Sequence, residues 1–148
     1  MAIGTVTDLG PCRSIELLAS ATATNGVPSA ATDGLDMNLV AQGLAGKRPE
    51  KVSIVVASTA GSGTMTVTCK LWGYCPGAAT WVPLGTDETA ANKGLLNDGD
   101  AIPEGPTADT ITHAEPLEQQ FDFSRLYLEI TAIGGTSTAI TAWIQWQR

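Results

Sequence analysis

A single histidine, His113, stands in the polar stretch Thr112-His-Ala-Glu-Pro, and acid–base chemistry in this chain would have to run through it or through carboxylates. A hydrolytic triad brings a nucleophile, a base and an orienting acid into contact. Ser, Asp and Glu are plentiful, but no Gly-x-Ser-x-Gly elbow occurs. His113 therefore reads as a surface residue rather than a base. No P-loop, GxGxxG or HExxH pattern is present, and Cys12, Cys69 and Cys75 lack the CxxC spacing that zinc prefers. Asn97-Asp-Gly-Asp, with Glu104 beyond it, gathers carboxylates around a glycine as calcium loops do. The EF-hand spacing fails, so the stretch reads as a solvated acidic turn. The residues predict no enzyme, no cofactor and no metal.

The three cysteines leave an odd one in any pairing. On a continuous strand Cys69 and Cys75 share a face but lie ~20 Å apart, beyond disulfide reach. They read as buried small hydrophobes of a reducing compartment.

The aromatic residues carry more. In Gly63-Thr-Met-Thr-Val-Thr-Cys-Lys-Leu-Trp-Gly-Tyr, strand alternation turns Met65, Val67, Cys69 and Leu71 one way. Lys70, Trp72 and Tyr74 then turn the other way, onto the face that should be polar. Tyr127 and Trp143 likewise lie opposite the aliphatic faces of their strands. Two readings are open: strands covered on both sides by loops such as 85–116, or an interface, where Trp and Tyr offer large apolar areas with few rotors to freeze. A carbohydrate platform would use the same residues for stacking. Lys47, Arg48 and Lys51 pose a similar choice between a solvated hairpin end and a positive spot that steers docking on an acidic partner.

The elements that must position these residues are strands. Period-two alternation dominates, and no window of helical length holds a 3.6-residue apolar stripe. Expected strands are 14–20, 35–39, 52–58, 63–74, 80–84, 125–133 and 138–146, with one or two short ones inside the Gly- and Pro-broken stretch 85–116. About eight strands at a spacing of roughly ten residues suit an all-β fold, an antiparallel two-sheet sandwich of jelly-roll type. Residues 1–13 are set apart as an N-terminal arm, and 14–148 form a single domain. A chain of 148 residues is long enough for its own core. Charged residues are only 16% of it, so an interface would have few charges to desolvate. The net charge of −7 would be repelled by a phosphate backbone, which argues against direct nucleic-acid binding. No apolar run approaches the ~20 residues of a membrane span, and the N-terminus lacks the pattern of a signal peptide.

VSIVVASTAGSGTMTVTCKLWGY, WVPLG and FDFSRLYLEITAIGGTSTAITAWI resemble the jelly-roll cement, or decoration, proteins of tailed-bacteriophage capsids. The likeness spans roughly residues 33–146 and lies in texture and spacing; it fits a domain of a phage tail or fibre as well. The resemblance implies a β-sandwich on the virion exterior, assembled in the bacterial cytoplasm. It also implies that the protein self-associates, a homodimer being favoured over a trimer, and clamps neighbouring major capsid proteins. It transfers no catalytic or contact residues.

Overall fold

The computed structural model describes residues 3–9, 12–38, 52–84, 93–117, 123–136 and 139–147. Nine strands form among them: β1 (Val6–Leu9), β2 (Cys12–Ala21), β3 (Leu35–Asp36), β4 (Val52–Ser58), β5 (Ser62–Cys75), β6 (Thr80–Pro83), β7 (Thr112–Leu117), β8 (Arg125–Thr136) and β9 (Ile140–Gln147). All their pairings are antiparallel. They make one sheet in the order β1-β2-β9-β4-β7 and a second in the order β3-β8-β5-β6. Apart from the β1–β2 and β5–β6 hairpins, each connection passes from one sheet to the other. Setting β1 aside, 2-9-4-7 packed on 3-8-5-6 is the eight-strand jelly roll that the strand spacing predicts.

Three boundaries differ from expectation. Residues 6–9, given to an arm, pair with 12–15 as an edge hairpin. The run expected over 35–39 pairs only at Leu35 and Asp36. The stretch 85–116 yields the start of β7 and two isolated bridges, Lys70 with Leu95 and Val67 with Ile102.

The core follows the alternation. Ile15, Ile54, Val56 and Ile144 of one sheet face Met65, Val67, Leu128 and Ile130 of the other, all at 1% exposure or less. Each such side chain contributes roughly 1.5–3 kcal/mol of transfer free energy before ordering costs are counted. A register shift between Glu16 and Leu18 lets β2 bury Leu17 and Leu18 in succession. Gly73 breaks the apolar series of β5 because Phe123 occupies the space its side chain would take: a Cβ there would fall 2.5 Å from the Phe123 ring.

The outer edge of β5 is covered piece by piece beyond β6. Leu71 O accepts from Leu84 N at 2.9 Å, Cys69 O from Leu96 N at 3.0 Å, and Val67 exchanges both bonds with Ile102. The Glu104 carboxylate accepts from Met65 N–H at 2.8 Å. These contacts satisfy an edge that would otherwise invite another chain.

Candidate interface faces

Sequence parity assigns the outer face of the four-stranded sheet to Lys70, Trp72, Tyr74, Tyr127 and Glu129, and the register brings them together. Trp72 lies opposite Tyr127, Tyr74 opposite Arg125, and Lys70 opposite Glu129. Trp81 joins from β6 opposite Tyr74, with ring centroids 5.3 Å apart, and stands edge-on to Tyr127 at 6.1 Å. The Trp72 indole N–H donates to Glu129 at 2.7 Å, and Lys70 Nζ sits 4.9 Å from its ring centroid.

This face is held by the chain itself. Residues 22–34 run across it as a strap. Arg125 donates to the carbonyls of Thr32, Asp33 and Gly34 at 2.9, 2.7 and 2.8 Å, using the fork of its guanidinium on three successive peptides. The Trp81 indole N–H donates to Ala30 O, and the Tyr127 hydroxyl lies within donating range of the Asn25 and Gly26 carbonyls. Asp33 closes the strap's turn by accepting from Ser29 and Ala30 N–H. Asn25 acts as a one-residue strand: its amide donates to Leu128 O at 3.0 Å and accepts from Ile130 N–H at 2.7 Å. Burial, then Asp33 and Glu129, raise the Tyr127 pKa. Of the two readings open from the sequence, a covering segment is what this face shows, and the segment is 22–34. The described part of 85–116 supplies edge pairing instead.

The five-stranded sheet is different. Its outer face carries Ser14 and Glu16 of β2, Trp143 and Gln145 of β9, Ser53 and Val55 of β4, and Ala114 and Pro116 of β7, in register. Trp143 is half-buried at the centre of a row running Glu16, Trp143, Val55, Ala114. Glu16 is the only charged side chain in these rows. It is 1% exposed, and neither carboxylate oxygen has a hydrogen-bond partner among the described residues.

The remaining chemistry-bearing residues are structural in placement. His113 and Glu115 lie on the inner side of β7, with His113 Nε2 2.5 Å from Glu115 Oε2. The same oxygen accepts from Asn97 N–H at 2.8 Å. That bond fastens a short turn in which Asn97, Asp98 and Gly99 all take positive φ of 56, 54 and 92°, a conformation that Asn, Asp and Gly tolerate best. His113 is therefore half-buried and bonded, which corrects its reading as a surface residue. Among the described residues no group of three or more His, Cys, Asp and Glu could hold a metal ion. Cys12, Cys69 and Cys75 are free thiols. Lys47, Arg48 and Lys51 lie outside the described residues.

Of the aromatics singled out in the sequence, Trp72, Tyr74 and Tyr127 thus meet on one face and Trp143 stands on the other. Trp81, Glu16 and the Asn25 latch carried no sequence signal of their own. No protein-family model, no curated protein and no solved structure matches the chain.

Proposed function

We propose that this protein is a capsid cement of a tailed bacteriophage. It binds the outside of the assembled shell, self-associates as a homo-oligomer with a dimer favoured, and clamps neighbouring major capsid proteins. The observation that carries this reading is the contrast between the two outer faces. One is bonded to the chain's own strap; the other presents Ser, Thr, Gln and Ala around a half-buried Trp143, with the buried Glu16 the only charged side chain in its described rows. Such a face offers a large aromatic area and few charges to desolvate, which is what a docking surface needs. A chain that binds the assembled lattice better than its free subunits stabilises the lattice by mass action, about 2.7 kcal/mol per site at a hundredfold excess over Kd. Self-association adds a second attachment point and raises avidity without new contacts, and a two-fold pair is the simplest closed arrangement. The role is structural, with no catalytic step and no cofactor.

A carbohydrate- or receptor-binding module of a phage tail or fibre is the competing reading. It would use the aromatic quartet on the four-stranded sheet, yet Trp81 and Tyr127 spend their polar groups on the strap and Trp72 on Glu129. The test is light-scattering molar mass of the purified protein followed by mixing with empty phage shells. A dimer that co-elutes with shells and raises their resistance to heat supports the cement role. A monomer that ignores shells while binding immobilised glycans overturns it.

A further inference from the structure

We propose that Glu16, sealed beside Trp143 on the outer face of the five-stranded sheet, is the acceptor for a lysine or arginine side chain of the protein that docks there. The inference rests on that face being the docking face, though not on the partner being a capsid.

Glu16 stands on a sheet's outer face, where a glutamate would ordinarily reach water, yet it is 1% exposed and both its carboxylate oxygens are closed off. An ionised carboxylate only accepts hydrogen bonds, so its neighbours must supply donors. Ser14 and Gln145, in the next row, do not bond to it, and Trp143 directly opposite gives it no indole N–H. Arg13 belongs to the other face of β2, in register with the buried Trp146. A buried carboxyl group without hydrogen-bond donors among the described residues is costly, and it is kept where another interaction repays the cost.

The surroundings specify what could do so. A cation entering this row would meet the carboxylate and, directly opposite it in the register, the Trp143 indole, so an ion pair and a cation–π contact both lie within its reach. The rest of the described row, Trp143, Val55 and Ala114, is neutral, so no charge in it competes for the cation or repels it. Trp143 stands directly opposite Glu16 in the register and is half-buried. Its indole is therefore the natural reporter of a side chain that enters this row.

The experiment follows the Trp143 indole N–H resonance by NMR, assigned with Trp143→Phe. Short blocked peptides carrying one central arginine, lysine or norleucine are titrated into the wild type and Glu16→Gln. The arginine and lysine peptides should shift the resonance in the wild type, norleucine should not, and Glu16→Gln should bind about tenfold more weakly or worse. Glu16→Met gives a second, independent readout: removing a buried carboxyl group that lacks hydrogen-bond partners among the described residues should raise the melting temperature of the free protein. Equal shifts in Glu16→Gln, no shift with either cationic peptide, or a lower melting temperature in Glu16→Met would each overturn the proposal. Loss of shell binding in the wild type would count against the cement reading alone, because the peptide titration contains no shell.

Discussion

Gly73 shows how much one residue can decide inside a strand. It faces the core in the series Met65, Val67, Cys69, Leu71, and the missing side chain leaves the volume that Phe123 fills. Gly73→Ala should destabilise the fold by about 1–3 kcal/mol, the usual cost of overpacking. Combining it with Phe123→Leu should recover part of that loss in urea denaturation, and strictly additive losses would show that the two do not share the space. Cys69, two turns of the alternation away, is 1% exposed. Burial first, and Glu115 second, push its thiol up from 9.0 to about 12. The folded state then holds the proton more tightly than the unfolded state does. Its contribution to stability is complete below pH 9.0 and is lost as the pH rises towards about 12. In the native protein at neutral pH, maleimide should therefore label the half-buried Cys12 and Cys75 well before Cys69. Denaturation should equalise the three; native labelling of Cys69 at the same rate would contradict its placement.

At the scale of elements, the strap is the least expected feature and the most testable. Asn25 replaces a strand partner on β8 with one donor and one acceptor. Asn25→Ala should cost about 1–3 kcal/mol, because a part-buried carbonyl and N–H both lose a partner. Limited proteolysis should then cut within residues 22–34 faster than in the wild type, while Tyr127→Phe, which removes only a hydroxyl at 3.2–3.3 Å from two carbonyls, should change the rate less. An unchanged cutting rate in Asn25→Ala would mean that Arg125 and Trp81 alone hold the strap. The sequence could not announce this element. Its Asn-Gly, Pro and Asp-Gly signals say turn, and what fastens it lies about a hundred residues away on β8. The strands with strong alternation were legible for the opposite reason: β4 occupies the expected 52–58, and β8 and β9 begin within two residues of expectation. The strand β7 was obscured because its inward side carries His113 and Glu115, which are tolerated at the sandwich edge by bonding each other and Asn97 N–H. Trp143 was legible as an aromatic on the wrong parity. Glu16 was not, since alternation marks it as an ordinary exposed acid.

The whole molecule is a jelly roll with unequal outer faces, and that inequality separates stability from assembly. Leu128 is 1% exposed between the sheets, so Leu128→Ala should lower folding stability by about 2–5 kcal/mol wherever the protein is used. Trp143 lies outside the core on the outer face of the five-stranded sheet. Trp143→Ala should leave most of the folding free energy intact and weaken binding to assembled shells by about 2 kcal/mol or more, roughly thirtyfold in Kd. Thermal melts and shell co-sedimentation on the same two variants distinguish the cases. A Trp143→Ala protein that loses as much folding stability as Leu128→Ala would make this indole a component of the fold. One that folds normally and still binds shells would move the docking surface elsewhere. Trp72→Ala supplies the complementary control, because its indole N–H already donates to Glu129 at 2.7 Å. It should perturb the four-stranded sheet's own face and leave shell binding close to that of the wild type. If Trp72→Ala weakened binding more than Trp143→Ala, the strapped face would be the one that meets the shell.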